Sequence, residues 1–325
     1  MKFSVVPYCR ITYLYLYNAI RTTSVIVALL FLSEVSFAQT CTVSMGNMAF
    51  GSVNTLTGAA VDTTATMTIT CNGGTGNTRR LCISIGAGSA SDATSRKMTG
   101  PGSNTARYDL YSNAARTTLW GSWETGFDSA GVQLDVAKSS TTNVTVYGRF
   151  FASQQTLAAG SYAATFTANP IVRYGNLGVL SCPTGGLTSS ASFSATATVL
   201  SSCNVNATTV NFGTAGLLSG TTDAQGTLSI QCSPSLPYTV SLNGGNSGAT
   251  DPTQRKMTFS GANITYGLYQ DAARSQPWGS TIGTNTTSGT GTGVAQTQTV
   301  YGRVAAQTTP APGAYSDSVI VTVGY

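Results

Sequence analysis

The fifteen residues "YDLYSNAARTTLWGS", Tyr108 to Ser122, are answered by "YGLYQDAARSQPWGS", Tyr266 to Ser280, with nine positions identical. Other landmarks repeat around them in the same order. "CTVSMGNMAFGSV" from Cys41 answers "CNVNATTVNFGTA" from Cys203, "SRKMT" from Ser95 answers "QRKMT" from Gln254, and "TVYGR" occurs at Thr145 and Thr299. "AAGSYAATFTA" from Ala158 answers "APGAYSDSVIV" from Ala311. The offsets run from 153 residues (Ala158 to Ala311) to 162 (Cys41 to Cys203). This is a duplicated domain, and two copies are too few for a solenoid, so each copy needs a core of its own. Residues kept in both copies, such as Tyr111, Arg116, Trp120, Tyr147, Gly148 and Arg149, read as fold rather than as site.

Within each copy, short runs such as "TATMTITC", "TTNVTVYGRF" and "SVIVTVGY" alternate apolar and polar residues between Gly, Asn and Ser turns. That period of two is the mark of half-buried strands. Charged residues make up only 8% of the 325. Helical periodicity is missing after the first forty residues, so the expected fold class is all-β.

Lys2, Arg10 and Arg21 precede the apolar run "SVIVALLFL", and "SFA" precedes Gln39. This pattern reads as an export signal, residues 1–38, cleaved after Ala38. Removing it takes three basic residues and Glu34 from the 16 Lys+Arg and 11 Asp+Glu, leaving 13 and 10, a net charge of +3. So weak and dispersed a charge gives no case for nucleic acid.

Six of the seven cysteines lie beyond the signal: Cys41, Cys71, Cys82, Cys182, Cys203 and Cys232. An even count in an exported chain implies disulfides. The repeat equates Cys41–Cys71 with Cys203–Cys232, and each bond would close a loop worth about 3–4 kcal/mol in chain entropy. Cys82 and Cys182 have no counterparts and are left for each other, although four cysteines in one copy allow three connectivities. Without histidine or a CxxC pair, neither a metal site nor a cofactor is expected.

Taken together, "C-x-V…F-G…C", "YxLYxxAARxxxWG", "TVYGR" and the C-terminal "P-G-x-Y-x-D-x-V-x-V-x-V-x-Y" resemble the spore coat protein U domain, which is also the pilin domain of archaic (Csu-type) chaperone–usher pili. The likeness covers nearly all of the chain after the signal, twice. It implies two immunoglobulin-like β-sandwich domains in tandem, the C-terminal one lacking its last strand. In that family a periplasmic chaperone fills the gap first, and the adjacent pilin subunit fills it in the fibre that grows through an outer-membrane usher. Two such domains behind one signal resemble a tip adhesin, secreted through the periplasm to the cell surface. There it would attach to abiotic or host surfaces and support biofilm formation. The boundaries expected are 1–38 signal, 39–182 N-terminal binding domain, 183–200 linker and donor strand, and 201–325 C-terminal pilin domain.

The residues add an argument of their own. In "SASFSATATVL", from Ser190 to Leu200, Phe193, Ala195, Ala197 and Val199 alternate with polar residues. This strand with one apolar face either completes the first copy or begins the second. Cleavage after Ala38 would leave only Gln39 and Thr40 before Cys41, too few for a donor strand of five or more residues. Such a subunit could accept a strand but not give one, which fits the distal tip. For binding, the first copy carries Trp123, Phe127, Phe150 and Phe151 where the second has no matching aromatic residues. They are the candidates for a surface patch. Phe150 and Phe151 are consecutive, so at most one faces inward in a strand.

Catalysis is not expected. The lack of histidine removes Ser-His and Cys-His chemistry. Carboxylates for glycoside hydrolysis would have to come from Asp109, Glu124, Asp128 or Asp135, in a region with nothing else to mark a site. Two other classes compete with the tip adhesin: a structural spore-coat or cell-surface matrix protein without tip-specific binding, and a secreted carbohydrate-binding module.

Overall fold

The computed structural model describes residues 39–325 apart from 75, 125, 126, 128, 179 and 183. The proposed signal therefore lies outside the described residues. Among those described, strands dominate and no α-helix occurs.

The first copy supplies β1 (Thr40–Met45), β2 (Met48–Val53), β3 (Val61–Asn72), β4 (Thr78–Ser84), β5 (Arg96–Thr99), β6 (Thr105–Tyr111), β7 (Val132–Ala137), β8 (Ser140–Phe150), β9 (Gly160–Phe166), β10 (Ile171–Asn176), β11 (Leu187–Ser190) and β12 (Phe193–Val199). One sheet runs β1-β3-β8-β6-β5-β9-β12-β2, the other β11-β10-β4-β7. The alternation seen in the sequence sets the two faces of each strand. In β3, Ala65, Met67, Ile69 and Cys71 point into the core, while Thr68 and Thr70 bond Asn143 and Thr141 of β8 on the outer face. Leu81, Ile83, Val172 and Tyr174 of the second sheet close the same core.

The second copy repeats the plan with β13 (Cys203–Ala207), β14 (Thr222–Cys232), β15 (Pro237–Leu242), β16 (Arg255–Phe259), β17 (Ala262–Tyr269), β18 (Thr287–Thr290), β19 (Gln296–Val304) and β20 (Val321–Gly324). Its sheets run β13-β14-β19-β17-β16 and β18-β15-β20. Cys41–Cys71 and Cys203–Cys232 are bonded across directly paired residues of β1–β3 and β13–β14. Cys82–Cys182 staples the segment before β11 to β4.

The duplicated phrase is a structural device in both places. Arg116 and Arg274 sit at positive φ, 54° and 58°. That strained conformation turns each side chain back onto the neighbouring strand. Their Nε atoms donate to the carbonyls of Gly148 and Gly302, at 3.1 and 3.0 Å. Each also meets an aspartate, Asp62 or Asp223, that is held at the same time by the arginine of "YGR", Arg149 or Arg303. These hydrogen bonds from arginine hold both carboxyls below the usual range. The arginine of "RKMT" goes deeper. Arg96 is buried and donates to the carbonyls of Ile85, Gly86 and Trp120; Arg255 does the same for Leu242, Asn243 and Trp278. Such backbone carbonyls would otherwise be buried without a partner.

Candidate functional site

In the first copy, β12 fills the space between β9 and β2. It pairs antiparallel with β9, from Phe193 opposite Phe166 to Val199 opposite Gly160. It pairs in parallel with β2, with Ala195 beside Met48 and Val199 beside Val53. Both ends are clamped: Ser194 N donates to Asn47 Oδ1 at 2.9 Å, and Leu200 N to the Val53 carbonyl at 2.9 Å. Phe193, Ala195, Ala197 and Val199 all face inward and are buried. Phe193 stacks on Phe166, with ring centroids 4.1 Å apart. The strand thus closes the core of the first sandwich, although it lies in the sequence next to the second.

The same place in the second copy is open. Segment 210–215 corresponds to β2 and segment 313–319 to β9, and among the described residues no strand lies between them. A groove of about 750 Å³ runs there, walled by Val210, Phe212, Tyr315 and Val319 and floored by Leu268 and Val304. Met48 and Phe50 are buried, whereas their counterparts Val210 and Phe212 are only partly so; Tyr162 and Phe166 stand in the same relation to Tyr315 and Val319. The backbone points the same way. Ser316 exchanges both of its hydrogen bonds with Thr258 on the β16 side. Strand alternation then turns the amides of Tyr315 and Asp317 toward the groove. Within the groove, the Tyr266 hydroxyl donates to Asp317 Oδ2 at 2.7 Å. Burial, then this bond, raises the Tyr266 pKa.

The aromatic residues picked from the sequence do not gather into one patch, and two of them need correction. Phe150 is buried at the end of β8, with its ring 6.0 Å from that of Phe50. Phe127 is buried under the Arg96 guanidinium, 4.0 Å from its ring centroid. Both are core because the first copy fills space that the second leaves to smaller residues. Trp123 and Phe151 are half-buried. Trp123 N donates to Ser84 Oγ of β4, while Phe151 lies by Arg107 of β6, so the two lie against different sheets.

Three of the suspected carboxylates are held in ion pairs: Asp109 with Arg96, Glu124 with Arg173, and Asp135 with Arg80. Asp128 lies outside the described residues. Burial pushes Asp109 up to about 6 despite its arginine. Among the described residues, no three Cys, Asp or Glu side chains gather as a metal would require, and no helix is long and apolar enough to cross a membrane.

The model of the Spore Coat Protein U domain matches residues 27–169 and again residues 189–322. The chain belongs to the Spore Coat Protein U domain family. Its two matches begin 14 residues before Cys41 and 14 before Cys203 (41 − 27 and 203 − 189). By sequence, then, β12 is part of the second Spore Coat Protein U domain, while in space it completes the first. Among solved structures, the chain is similar to the CsuC–CsuE chaperone–tip adhesion subunit pre-assembly complex of Acinetobacter baumannii archaic Csu pili. The identity is 19%, with 88% of this chain and 100% of that one covered and a TM-score of 0.54. This is a likeness of fold. The CupB6 tip adhesin of Pseudomonas aeruginosa also aligns, at 12% identity over 87% of this chain and 93% of that one, with a TM-score of 0.36. The comparison with curated proteins finds no match.

The groove itself could not be read from either copy's sequence alone. The signal for it was the contrast between them: a spare alternating strand precedes the second copy, and its partner walls exist twice.

Proposed function

We propose that this protein is the tip subunit of an archaic chaperone–usher pilus. Residues 1–38 direct export to the periplasm. Domain 2 accepts a strand there from a chaperone, and later from the adjacent pilin subunit as the usher assembles the fibre at the cell surface. Domain 1, completed by its own chain, stands at the distal end and makes contact with abiotic or host surfaces, which supports biofilm growth. One observation carries this reading: the same slot in two copies of one fold is filled by β12 in the first and open in the second. An apolar slot with unpaired backbone along its wall is the setting for β-strand addition, in which main-chain bonds give affinity and pockets give register.

Expression in a bacterial periplasm, with and without the chaperone of the same pilus system, tests it. With the chaperone, the protein should accumulate as a soluble one-to-one complex. Alone, it should be degraded or aggregate, with yield down at least several-fold. A stable, soluble monomer that ignores the chaperone would overturn the reading.

A further inference from the structure

Any chain that carries both an open slot and a strand of donor type faces a hazard. The β12 of one copy could enter domain 2 of the next, and head-to-tail contacts of that kind build rings or open filaments. We infer that the domain 2 groove is shaped against this strand and takes instead a donor strand, from a different protein, with a bulkier apolar side chain where β12 has Ala197. This inference rests on the acceptor role proposed above.

The two slots differ residue by residue. In domain 1, large side chains surround β12: Met48 and Phe50 from β2, Phe166 from β9, and Phe150 on the floor. The Phe50 ring is wedged between Tyr108 and Phe150, with centroids at 5.8 and 6.0 Å. Little room remains at the centre, and β12 puts alanine there twice. In domain 2, Val210 stands for Met48, Ala215 for Val53, Val304 for Phe150 and Val319 for Phe166. Ile264 and Asp317 are larger than their counterparts Ala106 and Ala164, but the balance is a net loss of bulk. Phe212 keeps its contact with Tyr266, at 5.9 Å, and has a valine where Phe50 has the Phe150 ring.

Seated in domain 2 in its domain 1 register, β12 would lose its Phe166 stack and leave a void beside Phe212 at Ala197. Voids of this kind forfeit contacts on every lining atom. A strand with a larger central side chain fills the void, so the groove discriminates between partners by fit.

The test uses dye-labelled peptides of residues 190–200, native and Ala197→Ile, titrated into the full exported chain. Protection of segment 313–319 from hydrogen exchange locates the binding. The Ala197→Ile peptide should bind at least tenfold more tightly than the native one. The same substitution made within the chain should act in the opposite direction, lowering the unfolding midpoint of domain 1 by overpacking a full core. That reversal of sign separates groove shape from general stickiness. Equal or tighter binding of the native peptide overturns this inference and leaves the acceptor role standing. Failure of both peptides to bind, with domain 2 also unresponsive to the chaperone, removes the acceptor role and the inference with it.

Discussion

Ala195→Asp is expected to unfold domain 1 while leaving domain 2 folded. Ala195 has no exposed surface and sits between Ala164 and Met48 in the two flanking strands. A carboxylate there would be buried without a partner, costing about 4 kcal/mol or more. That is a large part of the ~5–15 kcal/mol that holds a domain together. Thr196→Asp, one residue along and on the exposed face, should stay within about 0.5 kcal/mol of the native protein. Denaturant unfolding of two variants, each keeping a single tryptophan (Trp120 or Trp278, buried one in each domain) with the others, Trp123 included, replaced by Phe, reads the two outcomes separately. If segment 189–200 served domain 2 alone, Ala195→Asp would spare the Trp120 transition and shift that of Trp278.

The second large effect runs in the other direction. Linking a donor strand with apolar residues at alternate positions to Tyr325 should raise the melting temperature of domain 2 by about 10 °C or more. A Gly/Ser linker of about ten residues reaches roughly 17 Å on average. Four apolar side chains moved from water into the groove, together with main-chain hydrogen bonds to its walls, favour the closed domain, and each kcal/mol gained shifts the melting of a domain of this size by several degrees. The same donor with aspartate at the inward positions should have no effect. Melting of domain 2 at one temperature with either fusion would mean that its core is already complete.

Much of this architecture was legible in the sequence. Period-two alternation gave the strands, the repeat gave the two copies, and equivalent spacing paired Cys41 with Cys71 and Cys203 with Cys232. The limits have physical causes. Alternation in "SFSATATV" shows that the segment has an apolar face, but the sheet it joins is decided by which long-range slot is vacant. Phe150 is inward and Phe151 outward, as two consecutive strand residues must be, yet which one turns in depends on the register of β8 with β3. Phe127 lies in a loop, where no periodicity applies, and its burial follows from Arg96 being held beneath the sheet by three backbone carbonyls. Aromatic residues present in one copy only therefore mark different packing as readily as they mark a binding surface.

Hydrogen exchange at the two equivalent wall segments tests the central claim most directly. In the chain without partners, the amides of 313–319 should exchange far faster than those of 160–166, which pair with β12. Adding the chaperone or a fused donor strand should bring 313–319 to comparable protection and leave 160–166 unchanged. If 313–319 is already as protected as 160–166 in the chain alone, domain 2 has no open edge, and the strand-acceptor account is contradicted.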